Sequence, residues 1–284
     1  MSITLKKVSH EYNPGTTFAT FALKNLSLHI EDGEAVGIIG PTGSGKSTLL
    51  QHINGLLRPT EGELEVEGIH ISREKQNLSE LRKRVGLVFQ YPEYQLFEET
   101  VEKDIAFGPT NLGLPPEEVD KRVQNAMERM GLDYASLHDR SPFEISGGQK
   151  RRVAIAGVLA MDPKVLMLDE PTAGLDPLGR RQLMETLRSL HREQKITLIV
   201  ISHSMEEIAF LCERVLLLKD GELQLDKRVE EAFEDVAFME ENGMDVPVIS
   251  RVMHELRQAG KPFVRNYSSV QEAAKAILKA AGHA

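Results

Sequence analysis

GPTGSGKST occupies residues 40–48, between the apolar run AVGIIG (35–40) and the helix-like STLLQHINGLL (47–57). It fits the pattern G-x-x-x-x-G-K-[ST] in the strand–loop–helix setting which that pattern requires. Gly40, Gly43 and Gly45 leave backbone N–H groups free to wrap phosphates, and Pro41, Thr42, Ser44 and Thr48 complete the cradle. Lys46 places a positive charge between the β and γ groups, and Ser47 offers a hydroxyl to Mg2+. A chance glycine-rich turn would lack the flanking strand and helix. The expected ligands are the phosphates of a nucleotide and Mg2+.

The flanking sequence supplies the scaffold. ITLKKVSHEY (3–12) and ALKNLSLHIEDG (22–33) read as strands, and ELEVEGIHI (63–71) alternates like one half-buried strand. VGLVFQ (85–90), KVLMLDE (164–170), TLIVIS (197–202) and RVLLLKDG (214–221) are short, nearly continuous apolar runs. Such runs suit strands buried on both faces of a parallel sheet, and the helical patterns between them make the core α/β. Residues 91–163 form a mostly helical insertion, read as a subdomain. Within it, PPEEVDKRVQNAMERMGL (115–132) starts on prolines, carries Glu117 and Glu118 in its first turn, and ends before Gly131. Val119, Val123, Met127 and Met130 fall on one stripe, so the methionines are core packing.

After Gly221 the pattern changes. VEEAFEDVAFMEENG (229–243), VPVISRVMHELRQAG (246–260) and SSVQEAAKAILKAAG (268–282) each read as a helix closed by glycine. The last opens on Ser268 and Gln271 at capping-box spacing. The expected division is a nucleotide-binding domain over 1–245 and a helical domain over 246–284, too small to stand alone.

More chemistry lies at strand ends, where α/β sheets bind ligands. Asp169, at the end of LMLDE (166–170), suits an Mg2+ shell, and Glu170 suits a base that deprotonates an attacking water. Paired acids at a strand end also cap helices; the phosphate loop favours the functional reading. Gln90 and His203 each lie just past a buried strand, and His203 is placed to contact a γ-phosphate. EISGGQKRRV (144–153) is a second glycine loop in a chain that already has one. Ser146, Gly147 and Gly148 sit at the N-terminus of the helix-like QKRRVAIAGVLA, whose dipole favours a phosphate; a plain helix cap is the competing reading.

Together GPTGSGKST, Gln90, ISGGQ, LMLDE, AGLD (173–176) and His203 resemble, over residues 3–245, the ATP-binding subunit of ATP-binding cassette (ABC) systems. The resemblance implies a phosphate-loop α/β core, an antiparallel β subdomain and an inserted helical subdomain, followed by the small helical C-terminal domain. It implies that Lys46, Ser47 and Thr48 bind phosphates and Mg2+, that Gln90 senses Mg2+ and water, that Glu170 is the base, and that His203 is the switch histidine. It extends nucleotide contacts to Gln149 and Asp176. Tyr12 sits about where the family stacks an aromatic on adenine, and packing inside the β subdomain competes with that role. In this family two cassettes face each other head to tail, and ISGGQ of one closes over the nucleotide of the other. The second loop's phosphate thus belongs to a partner. Ile145 stands where leucine is usual, a volume-conserving change.

FQYPEYQLFEETVEKDIAFGPTNLGL (89–114) and the short helical tail are similar to the ATPases of energy-coupling factor (ECF) transporters, in particular the second member of their unequal pair. This implies a sister ATPase in a heterodimer, a transmembrane coupling protein and a substrate-binding membrane subunit. Together they would import a vitamin or transition-metal ion, with this chain at the cytoplasmic face of the membrane. The tail is expected to help hold the ATPase pair together. Tyr91, Tyr94, Leu96 and Phe97 are expected as apolar anchors for the coupling protein, with Glu93, Glu98 and Glu99 facing its basic residues. Packing of the aromatics within the subdomain is the competing reading.

Composition narrows the field. The 284 residues are 41% apolar and carry a net charge of −9, which argues against a nucleic-acid binder working through a basic face. Cys212 is the single cysteine, so no internal disulfide forms, and a small core hydrophobe is the expected role. The N-terminus lacks a secretory h-region, and no apolar run approaches the roughly 20 residues that span a bilayer. The remaining competitors are an importer ATPase fed by a periplasmic binding protein, a soluble cassette in DNA repair or translation, and a non-hydrolysing regulatory cassette. Glu170 and His203 oppose the last.

Overall fold

The computed structural model describes residues 2–260 and 270–280. Strands β1 (Ile3–Tyr12) and β2 (Thr20–Ile30) pair antiparallel, and the chain then enters the central sheet as β3 (Ala35–Ile39). Helix α1 (Lys46–Ile53) follows the phosphate loop directly. The segment read as one strand over 63–71 is instead a hairpin, β4 (Glu61–Val66) and β5 (Ile69–Ile71). Glu67 and Gly68 both take positive φ, 54° and 75°, the two-residue turn that matches the twist of a tight hairpin. These strands make a four-stranded antiparallel sheet ordered β2-β1-β4-β5.

Helix α2 (Ser79–Arg84) leads into β6 (Val85–Val88). Then come α3 (Val101–Asn111), α4 (Pro116–Arg129), α5 (Tyr134–Leu137) and α6 (Gly147–Leu159). Thr100 caps α3 through the Lys103 N–H, and α4 buries Val119, Val123, Ala126 and Met127, the stripe visible in its sequence. After β7 (Val165–Asp169) the chain alternates α7 (Pro177–Gln194), β8 (Thr197–Ile201), α8 (Met205–Leu211) and β9 (Arg214–Lys219). A further strand, β10 (Glu222–Arg228), folds back on β9; it is mostly exposed, so its sequence carries no burial pattern.

The helix expected over 229–243 is two short ones, α9 (Val229–Ala232) and α10 (Val236–Glu241). Asp235, read inside the helix, caps the second by accepting from the Phe238 N–H, a local bond that competes with helix continuation. Helices α11 (Val248–Gln258) and α12 (Val270–Ala280) follow, and the expected Ser268–Gln271 cap lies outside the described residues.

The central sheet runs β10-β9-β3-β8-β7-β6, parallel except for β10. Side chains alternate across a strand, and here both faces are apolar. Ala35, Ile39, Leu166, Leu168, Leu198, Val200, Val215 and Leu217 pack with the α helices on one face. Val36, Ile38, Val165, Met167, Ile199, Ile201, Leu216 and Leu218 pack with the antiparallel sheet and α1 on the other. Cys212 is buried in the first core, where desolvation pushes its thiol up. Among the described residues, no helix is long and apolar enough to cross a membrane.

Candidate nucleotide site

The loop 40–48 bends back on itself at the end of β3. Gly45 takes φ 101°, and a Cβ there would collide with the Ala22 carbonyl, so only glycine fits this turn into α1. Lys46 is buried; its Nζ donates to the carbonyls of Gly40 (2.7 Å) and Pro41 (2.8 Å), which hold the ammonium at the loop's centre. Desolvation lowers its pKa, and the nearby carboxylates of Glu170 and Asp169 oppose that. Ser47 Oγ donates to Asp169 Oδ2 at 2.7 Å. A cleft of about 400 Å3 opens here, lined by residues 42–48 together with Tyr12, Gln90, Asp169, Glu170 and His203. Tyr12 is part-exposed, its hydroxyl 3.3 Å from Thr48 Oγ1, while His10 packs edge-on against its ring.

Glu170 follows β7 in a strained left-handed conformation, φ 52°, its N–H bonded to the Ile201 carbonyl at 3.0 Å. Its side chain is 12% exposed. His203 Nε2 lies 3.4 Å from Glu170 Oε1 without hydrogen-bond alignment, and this buried oxygen has no donor among the described residues. Burial pushes the Glu170 carboxyl up to about 7. A backbone hydrogen bond from His203 and the Lys46 charge oppose the rise, and the charges of Asp169 and Glu207 add to it. A largely buried carboxylate at the edge of an open cleft, with its pKa raised to near neutrality, is in the state in which it can take a proton from water.

The second glycine loop lies apart from this cleft. Ser146 caps α6 in a full capping box: its Oγ accepts from the Gln149 N–H, and its own N–H donates to Gln149 Oε1 at 3.0 Å. Gln149 therefore already uses its side-chain oxygen. Ser146, Gly147 and Gly148 line a separate pocket of about 570 Å3 with Tyr91, Tyr94 and Asp176. Asp176 caps α7 by accepting from the Gly179 N–H at 2.8 Å. The sequence-derived set thus divides between two clefts of one chain, with Ser146–Gly148 and Asp176 lining a different one from Lys46.

Some groups at the site escaped sequence reading. Thr20, Phe21 and Ala22 of β2 also line the nucleotide cleft, brought there by the pairing of Tyr12 with Thr20 and Glu11 with Phe21. Buried Glu207 accepts from Thr172 and from Ser202 (2.7 Å), bracing the segments beside Glu170 and His203. In the stretch after Gln90, Glu93 is paired with Arg151 and so is not free for a partner, and Leu96 is buried rather than offered as an anchor. Tyr94 and Phe97 are exposed, at 84% and 57%.

A model of the ABC transporter family matches residues 23–173. The chain belongs to this family. The cassette is 52% identical over 279 residues to the energy-coupling factor transporter ATP-binding protein EcfA2 of Clostridium perfringens, covering 98% of each chain. It is 50% identical to the EcfA2 of Clostridium tetani, over 98% of this chain and 97% of that one. Among solved structures it resembles CbiO1 of Clostridium perfringens, part of the ABC transporter complex CbiONQ: TM-score 0.75 at 38% identity, over 88% of this chain and 98% of that one. A dimeric ATP-binding cassette in a post-hydrolysis state, bound to ADP and Pi, gives TM-score 0.71 at 34% identity, over 80% and 98%. The cassette is an ATP-binding, ATP-hydrolysing subunit of a membrane transporter.

Proposed function

We propose that this cassette is the second ATPase of an ECF-type importer, acting in a heterodimer with a sister ATPase at the cytoplasmic face of the membrane. The observation that carries the reading is the separation of the two half-sites: Lys46, Asp169 and Glu170 share one cleft, whereas Ser146–Gly148 open into another. The two loops line different clefts of one chain, which supports a site that a second cassette completes. The high similarity to two EcfA2 proteins supports the ECF type.

In this reading the phosphate loop binds ATP through its N–H groups and Lys46, and Tyr12 stacks on adenine. The all-oxygen pair Ser47–Asp169, already in hydrogen-bond contact, fits Mg2+, with Gln90 completing the set. Bound with ATP, Mg2+ neutralises charge on the phosphates. Glu170 orients the attacking water and takes its proton as the water oxygen bonds to the γ-phosphorus and the bond from that phosphorus to the β–γ bridging oxygen breaks, releasing ADP and phosphate. His203 holds the γ-phosphate, while Ser146, Gly147, Gly148, Gln149 and Asp176 serve the sister's ATP.

The assembly includes a transmembrane coupling protein and a substrate-binding membrane subunit. The groove lined by Phe97, Phe107, Val158 and Met161 is suited to receive the coupling protein. Exposed Val248, Val252 and Leu278 on the tail helices suit a dimer contact. Purification from detergent-solubilised membranes tests the reading. Recovery of a multi-span coupling protein with a sister ATPase that restores turnover is expected; recovery of ribosomes or DNA overturns it.

A further inference from the structure

The side chain with the most burdened position outside the nucleotide cleft is Arg151, in the second turn of α6. It is 2% exposed. Its Nε and Nη2 donate to the two carboxylate oxygens of Glu93 at 3.0 and 2.7 Å, a bidentate pair. Its Nη1 donates to the carbonyls of Pro171 (3.3 Å) and Ala173. The Tyr91 ring lies 5.9 Å from the guanidinium carbon. One guanidinium therefore joins the helix capped by Ser146, the turn three residues past Gln90, and the segment that follows Glu170. A buried ion pair is a poor way to stabilise a core, because apolar residues of similar volume pack there at no desolvation cost. What a planar fork does provide is fixed geometry between the segments it bridges.

We propose that Arg151, with Glu93, is a positioning residue that locks the Ser146 loop to the Gln90 and Glu170 segments. The half-site facing the sister's ATP and the half-site holding this chain's own ATP then move as one body. The inference rests on the composite-site reading above. It differs from a packing role in predicting an effect at both nucleotide sites from one side chain that lines only the Ser146 cleft and not the one around Lys46.

The test uses the complete transporter with one site silenced at a time. Glu170→Gln leaves only the sister's site active, and neutralising the sister's base leaves only this chain's site. Arg151→Lys keeps the charge but loses the fork, and Glu93→Gln keeps the shape but loses the charge. Each is expected to lower kcat roughly 10- to 100-fold in both backgrounds, the scale of displaced catalytic groups. ATP affinity of the isolated chain should stay unchanged, and the double variant should lose no more than either single one. If Arg151→Lys folds poorly, Glu93→Gln alone carries the test. Loss confined to the sister's site, or a lowered melting temperature with turnover intact, overturns the positioning role while leaving the functional reading in place. A wild-type complex without ATP turnover overturns both.

Discussion

Replacing Glu170 with glutamine should stabilise the protein, and only above neutral pH. The carboxyl ionises at 4.5 in an ordinary setting and at about 7 here, chiefly because burial penalises the charged form. Between those values the native state binds more protons than the unfolded chain, so this group makes stability fall as pH rises, and the full penalty stands above about 7. At 1.36 kcal/mol per pH unit the displacement is worth ~3 kcal/mol. The side chain keeps 12% exposure at the cleft, so solvent screening reduces the expectation to about 2 kcal/mol. Glutamine has nearly the same shape and no charge to desolvate. Urea denaturation of the nucleotide-free, full-length chain should show Glu170→Gln more stable than wild type by about 2 kcal/mol at pH 8, with the gain falling below about 1 kcal/mol at pH 5. In thermal melts the pH 8 gain corresponds to roughly 3–4 °C for a chain of 284 residues. Equal stability at pH 8, or an equal gain at both pH values, would refute the claim that Glu170 is held as a strained, desolvated base.

Other consequences can be checked in parallel. Burial pushes His52 down to about 4 from 6.5, while its Nδ1–H donates to the Thr48 carbonyl at 2.8 Å. Its neutral form is therefore the stable one, and stability should drop as pH falls from 6.5 toward 4. The slope of denaturation midpoint against pH in that window should be shallower for His52→Asn, and an unchanged slope would count against the assignment. Glu98→Lys with Glu99→Lys should leave ATP binding intact but abolish substrate uptake in vesicles and weaken the complex; normal uptake sinks the docking role. Glu99 already pairs with Lys103 at 2.6 Å, but both ends are largely exposed, so that pair contributes little to folding. Deleting 247–284 should weaken the ATPase heterodimer in analytical ultracentrifugation, and unchanged affinity would remove the tail from the interface.

Much of the site was legible because its residues sit at strand ends. GPTGSGKST, Asp169, Glu170, Gln90 and His203 each follow a buried apolar run, and parallel topology delivers all such positions to one edge. The parallel core was legible because short, nearly continuous apolar runs separated by helical patterns suit strands covered on both faces. What stayed hidden depends on pairings that no single segment encodes. Phe21 reaches the cleft only through its register with Glu11, and β10 forms because β9 offers it an edge, not because ELQLDKR is apolar. Asp235 looked like a helical residue until its cap revealed a break. Glu93 looked like a free surface acid because Arg151 lies 58 residues away in sequence.

The central claim is that this cassette hydrolyses ATP with Glu170 as base in a site completed by its sister. Phosphate release by the assembled transporter, with Glu170→Gln here and the base of the sister neutralised, measures it directly. Turnover should fall about 10²- to 10⁴-fold while ATP binding persists. Near-normal phosphate release from that double variant would contradict it.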